Sequence, residues 1–572
     1  MACRLSLLIY ETKAGLHWLE SAVNMETDHL TSFQLLEHLK KDPSNFDILS
    51  QVAKRSADPK HEVAIRNGML VLFGATPELV NTWRNCIDQQ TCHPKSMQRP
   101  KALKDLIGAV QAGKSEKLHV RAVGSGHSFS NVCPTDGILL NPRDPVDPNS
   151  SNQMNSVLPI DASVLRDPSL KSTLFSAESG MTIEELNQHL DANHLALENM
   201  GAYDGQTLAG AISTGTHGTG ISFGPIASSV RSLTLVSSSG TVYQIEPKDG
   251  ITDPAKFSSK DVVLKQDDAW FYTTLVAMGC TGLIYSYTFH VVPAFYIKEL
   301  RTLHFWEDLK AGLKDGASSQ VLTSHRGYEL NINPYSANGK HACIQVIHDD
   351  TSDTHTSGDR GFKNWLGGLL ASIPVVEKIL VVFLNLFPKE IPSTISTALD
   401  ALISPNGIAY VDKSYKVMNI GTVVNKIKAY ALELSLPCDT NLVDNVDKLL
   451  DFLDARAQAG KGYLTGPVNL RFVAASKAFL APQTGRPTCM IELDMLVGID
   501  KADDLFKDVK TAMCTKGSGI RVHWGLDPED SISNTDVQDW YPDLQSWLMV
   551  YKELNADGMW NSPLTDRLGI SV

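Results

Sequence analysis

The sequence predicts a multidomain protein that mixes helices and strands. Its 572 residues suggest two to four domains, because domains commonly contain about 150 residues. Short segments with strand-like apolar alternation stand beside segments with the apolar spacing of helices. Two glycine-rich segments, 121–130 and 213–220, interrupt this pattern and are candidate binding loops.

The composition argues against several classes of function. The net charge of −13 is opposite in sign to the basic face that a nucleic-acid-binding protein normally carries. The nine cysteines include no Cys-x-x-Cys pair, so we expect neither a metal site nor a dense disulfide framework. Glu11 and Lys13 end the apolar run at residues 5–10, so we expect no signal peptide. A cytoplasmic or peripherally membrane-associated protein is therefore expected.

Several elements can be placed in order along the first half of the chain. Pro100 precedes helical spacing at 102–110, and the alternating run from residue 118 predicts a strand that ends in a tight loop. Thr182 and Glu185 have the spacing of a capping box at the start of a helix. The remaining predictions are a loop at 142–172, strands at 173–180, 230–235, 241–245 and 282–292, and helices at 182–192 and 268–277.

Residues from about 300 to about 460 have the character of a separate domain. Predicted strands at 321–330 and 342–347 give way to apolar helices at 379–387 and 443–457. Strands at 468–472 and 490–497 and a helical, aromatic-rich tail follow.

The most apolar stretch, 365–388, is interrupted by Pro374 and carries Glu377 and Lys378 near its middle. A membrane-spanning helix needs about 20 apolar residues with few charges. A buried or amphipathic helical pair is one interpretation, and a peripheral membrane contact is the other.

The first glycine-rich segment, RAVGSGHSFS, places Gly124 and Gly126 directly after a predicted strand. Glycine permits the turn that points successive backbone N–H groups at one anion, so this loop suits a phosphate. The second segment interleaves glycines with Ser and Thr hydroxyls, which suits the close approach of a flat ring and a pyrophosphate. Alone, either segment is also compatible with an ordinary turn.

Neither segment matches the common nucleotide-binding motifs. The third glycine of a Rossmann fingerprint is absent at the required spacing, and no Gly-Lys-Ser/Thr of a P-loop follows. The residues therefore indicate a dinucleotide site that two separate loops build from backbone amides.

The segments VRAVGSGHSFS, GQTLAGAISTGTHGTGISFGPIASSV and LVAMGCTGLIYSYTFHVVP resemble the FAD-binding domain of the vanillyl-alcohol oxidase/PCMH-type flavoprotein superfamily. The motifs GPVNLRF, VHWG, WYP and NADGMW resemble the C-terminal part of its sugar-lactone oxidases (gulonolactone and arabinonolactone oxidases) and alditol oxidases. The likeness extends over roughly residues 98–295 and 462–566.

This resemblance implies an α+β fold, with a PCMH-type FAD-binding domain in two subdomains and a mixed α/β cap domain over the flavin. The expected division is an N-terminal extension at 1–65, the FAD-binding domain at 66–298 and a cap with a helical insertion at 299–520. A C-terminal segment at 521–572 would return to the flavin site.

The resemblance also implies the residues that contact FAD. They are Gly124, Ser125, Gly126, His127, Ser128, Gly210, Ser213, Thr214, Gly215, Thr216, His217, Gly220, Gly282, Leu283, Ile284 and His523. His127 stands where relatives commonly carry a covalent bond to FAD, and a non-covalent histidine is the alternative.

On the substrate side, Arg471 falls on the active-site arginine of these relatives, and His523 with Trp524 resembles their tail pair near the flavin. Thr207 occupies the position of a small hydroxyl residue that faces substrate. The expected reaction is oxidation of a CH–OH group in a sugar lactone, polyol or related alcohol by hydride transfer to flavin N5. The expected acceptor is O₂.

Two departures from the relatives affect the expected substrate. Asn469 stands where they have a carboxylate, and Leu526 stands where many have a lysine. Glu492 is the predicted catalytic replacement, with Asp494 beside it, provided that their strand has the right register. The less polar pocket suggests an altered sugar or a secondary-metabolite alcohol, which best turnover on a gulono- or galactonolactone would contradict.

Two further alternatives stay open. The reduced flavin could pass electrons to a cytochrome or a quinone, which makes the protein a dehydrogenase. Alternatively, the chain could be a flavin-fold binding protein that has lost catalysis, as the missing carboxylate and lysine suggest.

Overall fold

The computed structural model describes residues 82–143, 153–358, 376–420 and 428–572, together with His38 and Lys41. Its contacts separate Trp83–Cys92, Ser96–Arg143 and Gln153–Val572 as one unit, to which all the elements below belong. The predicted extension at 1–65 lies outside the described residues apart from His38 and Lys41.

A small parallel sheet carries the first glycine-rich segment. Strand β4 leads directly into that segment, as the sequence predicts, and both β3 and β4 pair in parallel with β5. Helix α1 joins β3 to β4 and buries Leu106, Ala109 and Val110. The bounds are β1 Trp83–Arg84, β2 Thr91–Cys92, β3 Ser96–Gln98, α1 Leu103–Glu116, β4 Val120–Ala122 and β5 Ile138–Leu140.

The second sheet has six strands in the order β11-β10-β9-β12-β7-β6. The predicted hairpin is confirmed, because β9 and β10 pair antiparallel across a turn at Gly240. The predicted loop at 142–172 is wrong in its described part, since β6 pairs with the edge of β7 and Asp161 and Asp167 cap two 3₁₀ turns. The strands are β6 Val157–Leu158, β7 Leu174–Glu178, β9 Val230–Val236, β10 Val242–Glu246, β11 Val262–Gln266 and β12 Leu283–His290.

Three helices share a hydrophobic core with this sheet: α2 Ile183–Ala192, α3 Leu208–Thr214 and α4 Asp268–Leu275. The capping box at the start of α2 is confirmed, because Glu185 N–H donates to Thr182 Oγ1 and Thr182 N–H donates to Glu185 Oε2. Thr207 caps α3, which ends at Gly215 with φ +90°. The second glycine-rich segment therefore begins inside a helix and becomes a loop only at Gly215. Strand β8 Leu195–Ala196 pairs with β13 Val292–Pro293.

The third sheet has eight strands in the order β17-β14-β16-β15-β19-β20-β18-β21, and every neighbouring pair is antiparallel. Its strands are β14 Tyr296–Phe305, β15 Gly327–Ile332, β16 Ala342–Thr351, β17 Tyr410–Lys413, β18 Ala429–Pro437, β19 Val468–Val473, β20 Thr488–Leu496 and β21 Arg521–Val522. The predicted strand at 321–330 is wrong in its first half. Gln320–Thr323 forms a helical turn, α6, which buries Leu322.

Helices surround this sheet and form the tail. They are α5 Trp306–Leu309, α6, α7 Val376–Leu386, α8 Ile391–Asp400, α9 Ser414–Met418, α10 Leu442–Gln458, α11 Ala502–Met513, α12 Asn534–Trp540, α13 Leu544–Leu554 and α14 Pro563–Arg567. The helices predicted at 379–387 and 443–457 correspond to α7 and α10, whereas 359–375 lies outside the described residues. The α+β class is confirmed.

The tail packs back onto the first segment through Arg121, which is 2% exposed. Its guanidinium donates to the carbonyl oxygens of Val132, Met278, Gly279 and Trp560, and so joins three distant parts of the chain. Among the described helices, none is long and apolar enough to cross a membrane. The cysteines within the described ranges are all free.

Candidate active site

A cavity of about 520 Å³ lies where the two glycine-rich segments meet the eight-stranded sheet. Its walls come from residues 124–129, residues 201–217, the strands β15, β18, β19 and β20, and the tail residues 523–526. A volume of this size suits a small-molecule or cofactor site.

The first loop is held in shape by hydrogen bonds on both sides. Ser125 Oγ donates to Gly205 O at 2.5 Å, and Phe129 N–H donates to the carbonyl of Gly525 at 2.8 Å. At Gly124 a side chain is excluded, because a Cβ atom there would lie 2.0 Å from Thr207 Oγ1. Gly126 adopts φ +68°, so the loop depends on two glycines for two different reasons.

His127 lies in this loop on the cavity wall. Its Nδ1 is 3.3 Å from Cys86 Sγ, and its ring centroid is 4.4 Å from that of Tyr203. Desolvation lowers the pKa of His127 to about 4, so the imidazole is neutral at pH 7. A neutral ring keeps one nitrogen lone pair available for a bond.

The second segment contributes small side chains and one buried histidine. Gly210, Thr214, Thr216 and His217 line the cavity, as does the helix-capping residue Thr207. Beyond them, Gly220 N–H donates to Phe472 O at 2.6 Å, which ties the segment to β19.

His217 forms a buried ion pair that sequence reasoning missed. Its Nε2 is 2.9 Å from Glu433 Oε1 on β18, and its Nδ1 is 2.9 Å from the carbonyl of Gly218. Burial alone lowers the pKa of His217, but the charge and hydrogen bond of Glu433 outweigh it and raise that pKa. Burial likewise raises the pKa of Glu433, but His217 lowers it to about 2. The pair is therefore imidazolium and carboxylate.

His523 lies next to this pair but remains neutral. Its Nδ1 accepts a hydrogen bond from Gly525 N–H at 3.2 Å, so the ring proton is on Nε2. Desolvation lowers the pKa of His523 to about 4, although Glu433 opposes this. The Nε2–H group is buried and makes no direct hydrogen bond of good geometry within the described part of the chain, although a weak contact with the backbone of Gly215 raises the pKa of His523. It is a donor ready for an acceptor that enters the cavity.

Arg471 stands among carboxylates on the wall formed by the eight-stranded sheet. Its Nη1 is 3.3 Å from Glu492 Oε2, and its Nε is 4.0 Å from Glu329 Oε1. Burial opposes the charge on Arg471, but Glu492 and Glu329 outweigh it and raise the pKa of the guanidinium. The register that the sequence left open places Glu492 opposite Asn469 and on the cavity wall.

The two departures from the relatives lie in this cavity. Asn469 donates from Nδ2 to Asp494 Oδ2 at 2.9 Å, and Leu526 lines the wall near the tail. Carboxyl groups on the neighbouring strand β20, those of Glu492 and Asp494, thus lie beside Asn469.

The structure places the predicted site residues in two groups. Those that line the cavity are Gly124, Ser125, Gly126, His127, Ser128, Thr207, Gly210, Thr214, Thr216, His217, Arg471, Glu492 and His523. Those that do not line it are Ser213, Gly215, Gly220, Gly282, Leu283 and Ile284. Gly282 has φ +144° and lies close to β9, where a Cβ on Gly282 would be 2.6 Å from the carbonyl oxygen of Val236. Leu283 and Ile284 pair with the same strand.

Cys86, Tyr203, Glu329 and Glu433 also line the cavity and were not singled out from the sequence. Glu329 and Glu433 each interrupt an apolar strand pattern, in GYELNI and AYALELSLP. A carboxylate inside a buried strand was the available signal, because such a group needs a partner.

The residues fit a flavin dinucleotide. The glycine cradle at Gly124 and Gly126 allows close backbone approach, and the buried Nε2–H of His523, which makes no direct hydrogen bond of good geometry within the described residues, would donate to a flavin oxygen or nitrogen. Within the described ranges no group of His, Cys, Asp and Glu is arranged to hold a metal ion.

Comparisons with known proteins agree with this fit. Residues 94–246 match the FAD binding domain family, and residues 287–568 match the D-arabinono-1,4-lactone oxidase family. An L-gulono-1,4-lactone dehydrogenase from Mycobacterium tuberculosis is 24% identical over 494 residues, which cover 85% of this chain and 98% of the relative. The L-gulonolactone oxidase of Bos taurus is 24% identical, with 82% of this chain and 93% of the relative covered.

Solved structures show the same fold. A solvent-stable cholesterol oxidase aligns with a TM-score of 0.63 and 16% identity, over 86% of this chain and 97% of that chain. The cholesterol oxidase of B. sterolicum aligns with a TM-score of 0.64 and 12% identity, over 85% and 96% of the two chains.

Proposed function

Because the chain belongs to the vanillyl-alcohol oxidase/PCMH-type FAD flavoprotein superfamily, we propose that it oxidises a CH–OH group of a sugar 1,4-lactone. It is an FAD-dependent oxidoreductase, and its relatives are lactone oxidases and dehydrogenases. The observation that carries the proposal is the Arg471–Glu492 pair on the wall of the cavity that both glycine-rich segments line.

Bound FAD supplies the acceptor for two electrons and the hydrogen of the C–H bond. The backbone of 124–128 and the N-terminal turn of α3 would hold its phosphates, and His523 Nε2–H would donate to an acceptor atom of the ring. The imidazolium of His217 is neutralised by Glu433, so the pair adds a fixed dipole to this side of the cavity and no net charge.

On the substrate side, the guanidinium of Arg471 binds oxygen atoms through donors in a fixed plane. Glu492 accepts the proton of the reacting hydroxyl group, since it reaches the cavity and its negative charge is held by Arg471 at 3.3 Å. Thr207 contributes to helix capping and to the cavity wall. The division into domains at 66–298, 299–520 and 521–572 remains part of this proposal.

The relatives favour a lactone over the secondary-metabolite alcohol, and over a flavin-fold protein without catalysis. The test is anaerobic mixing of the yellow holoenzyme with L-gulono-1,4-lactone and with D-arabinono-1,4-lactone. Rapid bleaching of the flavin by either lactone supports the proposal, and a flavin that stays oxidised with both contradicts it. Glu492→Gln should slow the bleaching about 100-fold or more, because it removes the proton acceptor.

O₂ is the proposed acceptor, and an electron carrier is the alternative. The names of the relatives include both oxidases and a dehydrogenase. Hydrogen peroxide formed in a one-to-one ratio with oxidised lactone supports the oxidase. Turnover that requires an added quinone or cytochrome, with no peroxide, supports the dehydrogenase.

We further propose that His127 is the attachment point of a covalent flavin. Its neutral ring lies on the cavity wall, and Cys86 Sγ is 3.3 Å from its Nδ1. Acid-precipitated protein should retain its yellow colour in the pellet, and His127→Ala should release it. A colourless wild-type pellet would exclude the covalent bond without affecting the assignment of FAD.

A peripheral membrane contact at 365–388 is also proposed. On and just after α7, Val382, Leu386 and Phe387 are 58%, 68% and 48% exposed, and Phe383 is 36% exposed. A helix with a continuous exposed apolar face suits the boundary of a lipid bilayer. Holoenzyme should co-sediment with phosphatidylcholine vesicles, and Leu386→Glu should abolish this. Wild-type protein left entirely in the supernatant would contradict the contact.

A further inference from the structure

The cavity wall that the eight-stranded sheet forms carries more carboxyl groups than cationic groups. The sheet brings Glu329 opposite Arg471, and Glu492 opposite both Asn469 and Glu433. Residues directly opposite each other in a sheet lie on the same face. Asp494 follows on that face of β20, and its backbone lies opposite Ala431.

The cations on this wall are already engaged. His217 is paired with Glu433 at 2.9 Å, and Arg471 is shared by Glu492 and Glu329. The other cations that line the cavity bind elsewhere, since Arg301 pairs with Glu299 and Lys428 pairs with Asp88.

Asp494 is the carboxyl group whose partner is neutral. Asn469 Nδ2 donates to its Oδ2 at 2.9 Å, and no cation within the described ranges comes within 4.0 Å of it. Gly466 packs against its Cβ, because a side chain at Gly466 would lie 2.9 Å away. The nearest charged group on its own strand is Glu492, whose charge has the same sign.

Carboxylates that share a partly buried site cannot all ionise at neutral pH. Burial and the charge of Glu492 raise the pKa of Asp494 well above its ordinary value, and Arg471 only partly opposes them. Burial also raises the pKa of Glu492, although Arg471 lies beside it and favours its ionised form. Glu433 and Glu329 add to the repulsion, and the imidazolium of His217 reduces it. The carboxyl group that keeps its proton is therefore that of Asp494, which no cation in the described part of the chain contacts.

We propose that Glu492 and Asp494 hold one proton between them, located on Asp494, and that they bind two neighbouring substrate oxygens in complementary roles. Glu492 accepts the proton of the reacting hydroxyl group. The carboxylic acid of Asp494 donates a hydrogen bond to the adjacent oxygen. This inference rests on the proposed function and deepens it.

The oxidation step conserves both atoms and electrons. The O–H proton passes to Glu492, the O–H electron pair becomes the second bond of the new C=O, and the C–H hydrogen leaves with its electron pair for FAD. Asp494 keeps its proton and only donates. The pair therefore selects a carbinol next to an acceptor oxygen, such as a 2-hydroxy-1,4-lactone, in preference to an isolated alcohol.

The activity test compares Asp494→Asn, Glu492→Gln and the exposed control Asp451→Asn across pH with L-gulono-1,4-lactone. Wild-type kcat/KM should fall at high pH, because Asp494 loses the proton that it donates. Asp494→Asn keeps a donor that cannot ionise, so kcat/KM should drop only several-fold and the alkaline fall should disappear. Persistence of that fall in Asp494→Asn, with a normal flavin spectrum, would overturn the inference. Asp451→Asn should reproduce the wild-type profile.

A second measurement needs no substrate. Infrared difference spectra of resting holoenzyme between neutral and alkaline pH should show loss of a protonated-carboxyl band. Asp494→Asn should remove this band, whereas Asp451→Asn should retain it. A band that survives in Asp494→Asn would overturn the inference. If no lactone bleaches the flavin yet the band is assigned to Asp494, the proposed function fails while the shared proton stands.

Discussion

At the scale of single residues, Gly124 shows how the first loop depends on the absence of a side chain. Gly124→Ala places a methyl group 2.0 Å from Thr207 Oγ1, so the loop or the cap of α3 must move. We expect loss of bound flavin and a lower melting temperature, measured from absorbance and thermal unfolding. Gly108→Ala is the matched control, since nothing lies within 4 Å of its Cβ position on α1. It should leave flavin content unchanged and raise stability by about 0.5–1 kcal/mol.

The ion pair of His217 and Glu433 gives a pH-dependent contribution to stability. The pKa of Glu433 falls from 4.5 to about 2 on folding, so its contribution is present above pH 4.5 and lost as pH falls toward 2. The pKa of His217 is raised above 6.5, so its contribution is complete below pH 6.5 and lost as pH rises through the raised value. The pair therefore stabilises most between pH 4.5 and 6.5.

Glu433→Gln should lower the melting temperature most at about pH 5.5, within that window, and progressively less as pH rises through the raised pKa of His217. Breaking one partner of a buried pair costs about 3 kcal/mol. Thermal unfolding over a pH series that starts at about pH 5.5 measures the difference, with the exposed Glu390→Gln as control. A loss that stays equal from about pH 5.5 up to the most alkaline pH at which the protein is folded would contradict the ion pair.

Some residues of the cavity wall could be predicted from the sequence, and others could not, for a physical reason. Arg471, His523 and the first loop lie in motifs whose neighbours along the chain reveal them. Glu433 was missed because its partner His217 is 216 positions away, and only the folded sheet brings them together.

At the scale of elements, capping chemistry was predictable because it is local. Thr182→Ala removes the side-chain oxygen that accepts from Glu185 N–H, so unfolding free energy should fall by about 1 kcal/mol. Chemical denaturation measures this, and Thr511→Ala on the exposed face of α11 is the control. A loss equal to that of the control would show that the cap contributes nothing.

Elements with ambiguous patterns were harder to predict. The spacing of apolar residues in 321–330 is compatible with either a strand or a helical turn. In the structure Gln320–Thr323 forms the turn, which buries Leu322. In contrast, β9 and β10 were predictable because a glycine turn and alternation on both sides agree.

At the scale of the whole molecule, the tail forms part of the wall of the candidate cavity. Arg121 donates to Trp560 O, and Phe129 donates to Gly525 O, so the loop after β4 is held by residues some 400 positions later. A chain that ends at Glu553 should be insoluble or free of flavin. A chain that ends at Ile570, which removes two exposed residues, should bind FAD normally. Flavin binding by the shorter chain would contradict this role.

The register of the eight-stranded sheet also belongs to this scale, and the sequence could not fix it. Whether Glu492 faced the cavity depended on pairing between β19 and β20, which a one-residue slip would reverse. The topology, with β18 between β20 and β21, follows from contacts between distant segments.

The contact between Phe129 and Gly525 also has a consequence for biosynthesis. A ribosome adds about 5–20 residues per second, so Phe129 emerges well before its partner exists. The cavity wall is incomplete until residues 523–526 have left the exit tunnel. We therefore expect FAD to bind stably only after nearly all of the chain has been translated.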